Sequence, residues 1–146
     1  MNSSHVAEGK FLAGYNCAQA VLFAHCDNLG IDKDLALRLA CGLGAGVARE
    51  GEICGAVSGA IVAIGIKYGR GEGEDKAKAE ETYARAAEFM AKFKERHGSV
   101  SCRELTGCDL RTAEGRRVFV ENDLLHRTCA RCVETADEFL LAEIGA

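Results

Sequence analysis

Cys17, Cys54, Cys102 and Cys129 share a local setting that favours sulfur chemistry. Three of them directly follow a residue type that caps helices: Asn16, Ser101 and Thr128. Gln19 and Glu104, three residues after the first two caps, complete capping-box patterns. Cys54 opens its helix straight out of the glycine-rich stretch GVAREGEICG. The first turn of a helix leaves backbone N–H groups without partners, and the helix dipole adds partial positive charge there. Both favour a thiolate over a thiol, and the thiolate is the form that attacks electrophiles or ligates metals. Four such helix starts meeting at one end of a bundle would hold four sulfurs around a metal or a cluster.

The other cysteines fit a plainer role. Free cysteine is among the most buried residue types, and packing accounts for Cys26, late in its helix, Cys41, in the last turn of its helix, and Cys108. The four helix-start cysteines are widely separated singles, whereas zinc ribbons and ferredoxins normally use close C-x-x-C pairs. One such pair exists, Cys129 and Cys132. Val133 follows it in place of histidine, which argues against c-type haem attachment. On a helix these two lie on one face and could shuttle between dithiol and disulfide. His25 and His126 are substitute ligands in reserve. His25 sits on an apolar helical face, the ordinary place of a core histidine, and His126 lies nearer Cys129. His5 and His97 read as exposed. GLGAGVAREG lacks the Gly-Lys-Ser/Thr ending of a phosphate loop, so its glycines are read as permitting unusual backbone angles around the site.

The elements that must position these sulfurs read as helices throughout. The 146 residues contain no proline and show no sustained alternation of apolar and polar positions, which predicts a single all-α domain, a helical bundle over residues 1–146. Helices are expected over 4–13, 16–29, 32–41, 54–68, 75–97, from 102, over 112–122 and over 129–142. The helix over 75–97 carries an apolar stripe of Ala79, Tyr83, Ala86, Met90 and Phe93. Gly55, Ala56, Gly59, Ala60 and Ala63 make a smooth face that another backbone can approach closely, bringing further helix ends toward Cys54. A net charge of −4 without a basic block argues against nucleic acid as a partner. The longest apolar run, Ile53 to Ile66, is too short and glycine-rich for a membrane span. The N-terminus has no export pattern, and eight cysteines in a cytoplasmic chain point to metal or redox use before disulfide scaffolding.

GYNCAQAV, CGAVSGA, IKYGR, SCRELTG and CARCV together resemble the C_GCAxxG_C_C family of redox-active proteins. Its name motif reads here as Cys54-Gly55-Ala56-Val57-Ser58-Gly59, and its four characteristic cysteines map to Cys17, Cys54, Cys102 and Cys129. This chain adds Cys108 and Cys132. Similar domains resemble part of split-Soret cytochromes, multihaem proteins associated with an iron–sulfur centre. The resemblance implies an all-helical fold and an iron–sulfur or other redox role.

Three readings follow. The first is a cytoplasmic redox or electron-transfer protein whose four cysteines hold an iron–sulfur cluster, of the 2Fe–2S type, and which meets a redox partner protein; a structural zinc in the same place is its variant. The second is a metal-free thiol–disulfide protein, with Cys129 attacking and Cys132 or Cys54 resolving. The third is a helical interaction module with structural cysteines, whose small-residue helix would form a homodimer surface.

Overall fold

The computed structural model describes residues 3–145. Among them are nine α-helices: α1 Ser3–Leu12, α2 Cys17–Ala24, α3 Cys26–Leu29, α4 Lys33–Ala40, α5 Gly55–Tyr68, α6 Ala77–His97, α7 Cys102–Thr106, α8 Ala113–Glu121 and α9 Ala130–Ile144. The chain is an all-α domain, as its sequence predicts, and no strand occurs among the described residues.

Cap chemistry sets most boundaries. Asn16 and Gln19 form a full capping box at the start of α2. Asp32 accepts from the Leu35 N–H, Ser101 from Glu104 and Thr112 from Gly115. Gly30, Gly98 and Gly107 end α3, α6 and α7 in the left-handed conformation that glycine adopts without a Cβ clash.

The apolar helix α5 forms the centre, with Val57, Ala60, Ala63 and Ile64 fully buried. It packs against α2, α6 and α9. Glycines set the α2–α5 distance: a Cβ at Gly59 would lie 2.6 Å from the Ala18 carbonyl oxygen, and one at Gly55 would lie 3.3 Å from the Cys17 Cβ. The smooth face read from the sequence therefore brings the start of α2 against the start of α5.

Several details differ from the sequence reading. The helix expected over 16–29 breaks at His25 into α2 and α3. His25 itself is buried and bonded to Asp137 at 2.7 Å, with Ser3 donating to the second carboxylate oxygen at 3.1 Å. The expected stripe of α6 reaches the core at Phe93, which is buried, and at Met90, which packs on it, with buried Phe89 added, whereas Tyr83 is 68% exposed. His97 is half-buried: its ring stacks on Phe93 and bonds to Thr135 at 2.8 Å. Cys41 is exposed in a 3-10 turn beyond α4 and is not a packing residue; its carbonyl accepts a bond from the Asn16 side chain.

Candidate functional site

Five thiols line one cavity of about 330 Å³: Cys17, Cys54, Cys102, Cys129 and Cys132. The four predicted cysteines are thus brought together, and Cys132 joins them. Cys108 lies behind, in a small apolar cluster with Cys102 and Leu110. Cys26 packs in the main core, its sulfur directed at the Leu22 carbonyl. His126 is exposed, bonded to Asp123, and does not line the cysteine cavity.

Each sulfur has its own support. Cys17 is the first residue of α2, fixed by the Asn16 capping box. The Asn16 side chain is held in turn by Cys41, and Gly44 leaves it room, since a Cβ there would come within 2.4–2.6 Å of it. Cys54 is the N-cap of α5 and Cys102 the first residue of α7. An isolated antiparallel bridge between Ile53 and Ser101 ties these two to each other. In it the Cys54 N–H donates to Val100 at 2.7 Å and the Cys102 N–H to Glu52 at 2.7 Å.

Cys129 departs from expectation. Thr128 does not cap a helix. Leu125–Cys129 is a single π-helical segment that runs directly into α9. Cys129 therefore lacks the free amides of a helix start, and it reaches the cavity by the wider π turn. Such turns recur at functional sites. Cys17 lies beside Cys129, and Cys54 beside Cys132.

The sulfurs differ in acidity. The contact with Cys132 lowers the Cys54 pKa, and the amide groups of Ala56 and Val57 at the start of α5 lower it further, against the effect of burial. Cys17 is raised, first by its contact with Cys129 and then by burial. Burial pushes Cys102 up to about 12, with neighbouring sulfurs adding to the rise. Cys132 is raised by its contact with Cys54 and by burial. Cys54 is thus the pocket sulfur that its surroundings hold toward the thiolate.

A loop of unusual backbone forms one wall. Residues 45–49 have consecutive positive φ angles of 55°, 70°, 64°, 52° and 69°. Only the second is glycine. A Cβ at Gly46 would lie 2.7 Å from the Cys102 Cβ, so this glycine is needed for close approach as well as for its angle. Non-glycine residues in this region cost roughly 1–2 kcal/mol each, and such backbone gathers where a site requires it. The sequence reading anticipated unusual angles at the glycines but not at Ala45, Val47, Ala48 and Arg49.

Five thiols line the cavity with no histidine or carboxylate beside them, and the hydroxyl and amide side chains of Tyr15, Asn16, Thr106 and Thr128 add to its polar lining. The soft thiol set fits an iron–sulfur cluster, and also zinc. Among the described residues no group of three or more His, Cys, Asp or Glu side chains is placed to hold a metal ion. No described helix is long and apolar enough to cross a membrane.

A family match points to a redox role. No solved structure matches the chain. An uncharacterised protein of Archaeoglobus fulgidus is 32% identical over 116 residues, spanning 73% of this chain and 76% of that protein. Residues 15–143 match the family described as "Putative redox-active protein (C_GCAxxG_C_C)". With its name motif at the start of α5 and its match running through the cysteine pocket, the chain belongs to the C_GCAxxG_C_C family.

Proposed function

We propose that the cysteine pocket is a redox centre in which Cys17, Cys54, Cys102 and Cys129 hold an iron–sulfur cluster of the 2Fe–2S type. One observation carries this reading: four distant segments bring thiols, and no histidine or carboxylate, to the wall of one cavity. A cluster bound there supplies one-electron transfer. The helix starts at Cys17 and Cys54 offer N–H groups to ligand sulfur, which raises the reduction potential of such centres. Cys132, in contact with Cys54, is placed to hydrogen-bond that ligand. The electron donor or acceptor is read as a partner protein in the cytoplasm. The same thiolates suit zinc, in which case the metal fastens the helix ends and carries no electrons.

A second reading is favoured by the Cys54–Cys132 contact, which joins a sulfur whose pKa is lowered to a buried neighbouring thiol. Without metal, these two form a dithiol–disulfide couple: the pair gives up two electrons and two protons to a disulfide substrate and becomes a disulfide itself. It stands beside the couple in which Cys129 attacks and Cys132 or Cys54 resolves, which the C-x-x-C spacing suggests.

Anaerobic purification with metal, sulfide and thiol analysis tests these readings. Iron and sulfide near stoichiometry, with visible absorption abolished by Cys54→Ser, supports the cluster. Stoichiometric zinc in colourless protein supports the structural variant. Metal-free protein whose thiol count changes reversibly by two, and no longer does so in Cys132→Ser, supports the couple.

A further inference from the structure

The cavity offers more than sulfur. Cys54, Cys102 and Cys132 are buried, whereas Tyr15, Arg49, Arg116 and Val120 are exposed, so the thiols form the floor and these residues the mouth. Phe11, Leu110 and Phe119 add apolar wall. In a chain with 22 acidic residues, no aspartate or glutamate lines this cavity, and its charged residues are both arginines. Arg116 donates to the Leu110 carbonyl at 2.8 Å. The Arg49 guanidinium has no hydrogen bond or ion pair among the described residues. Elsewhere Arg38, Arg103, Arg111 and Arg117 pair with carboxylates. Arg49 is also the last of the five residues with positive φ, so a costly backbone holds this uncommitted cation at the cavity. The volume of about 330 Å³ falls within the range of small-molecule sites, roughly 300–1,000 Å³.

We propose that the mouth of the cysteine pocket binds a small organic anion, a carboxylate on an aromatic or aliphatic body, with Arg49 receiving the carboxylate. A guanidinium meets a carboxylate with two parallel hydrogen bonds, and the apolar walls take the body. This names the class of small molecule that the redox centre serves. That link rests on the redox reading; the binding itself does not.

The probe is 2-naphthoate, with the neutral 2-naphthamide as its shape control. Both are titrated calorimetrically into the full chain as purified, with iron and sulfide measured on the same sample. One naphthoate per chain is expected, bound at least about tenfold more tightly than the amide, as loss of a charge-assisted pair implies. Arg49→Gln removes that preference and leaves amide binding unchanged. Arg49→Lys retains part of it, and Arg131→Gln, outside this cavity, retains all of it. Absence of naphthoate binding, equal affinity for acid and amide, or indifference to Arg49→Gln overturns the proposal. Iron-free protein that still prefers the acid keeps the site and removes the cluster reading. Cluster-loaded protein that ignores 2-naphthoate does the reverse.

Discussion

His25 and Asp137, 2.7 Å apart in the core, stand 112 residues apart in the chain, and the same offset separates Cys17 from Cys129. Two pairs with one offset mean that α2 and the start of α9 run parallel and in register. The polar pair lies about eight residues, or roughly 12 Å, below the thiol pair. It fixes the register on which the Cys17–Cys129 contact depends. A buried pair of this kind adds specificity more readily than net stability, but removing one partner leaves the other uncompensated. Asp137→Ala should therefore cost about 3–5 kcal/mol in urea unfolding, while His25→Leu with Asp137→Leu recovers most of the loss. A small cost for Asp137→Ala would mean that the pair does not set the register.

Two glycines of α5 offer a matched test of how the thiols are brought together. A Cβ at Gly59 meets the Ala18 carbonyl oxygen and Cα at 2.6 and 2.8 Å, whereas one at Gly65 meets nothing within 4 Å. Gly59→Ala must push α5 away from α2, at a cost of about 1–3 kcal/mol, and moves Cys54 away from Cys17. Gly65→Ala should instead stabilise by up to about 1 kcal/mol through helix propensity. Thermal unfolding of both variants reads the signs. If the cluster is present, only Gly59→Ala should lose iron.

Much of this arrangement was legible in the sequence because it is encoded locally. Asn16 with Gln19, Asp32 and Thr112 mark helix starts by side chains that reach their own neighbouring amides. The small residues after Cys54 announce close approach by another backbone. What stayed hidden is set by distant partners. The Ile53–Ser101 bridge involves one residue from each segment, too short for an alternation to show. The π turn before Cys129 leaves no periodic trace. Tyr83 lies on the expected stripe of α6, but a stripe does not say where a long helix overhangs its core. His97 looked exposed because nothing in its own segment reveals Thr135. Spacing relates Cys132 to Cys129, and tertiary packing adds Cys54 as its neighbour.

The left-handed wall should respond to residues that tolerate its angles. Val47 has φ 64° and is 39% exposed, so its branched side chain contributes strain without filling the core. Asparagine enters this region more readily and avoids the added chain entropy of glycine. Val47→Asn should raise stability by up to about 1 kcal/mol, with thiol reactivity in the pocket unchanged. A fall in melting temperature would show that Val47 makes contacts outweighing its strain.

The raised thiols give the metal-free, reduced protein a particular dependence on pH. Burial takes Cys102 from 9.0 to about 12, and Cys17 and Cys132 are raised by their thiol partners and by burial. In the unfolded chain these thiols ionise near the ordinary value, about 8.5. Below it both states keep their protons and the three thiols add no pH dependence. Above it the unfolded state sheds protons that the folded state retains, so stability falls as pH rises from about 9 toward 12. Cys54, with its lowered pKa, acts in the opposite sense and contributes stability on approaching its unfolded pKa from below. Urea midpoints measured anaerobically from pH 7 to 11 should decline above 9, and Cys102→Ser should flatten that decline. A midpoint that holds level through pH 11 in wild type would mean that the pocket sulfurs ionise together without opposition from the fold.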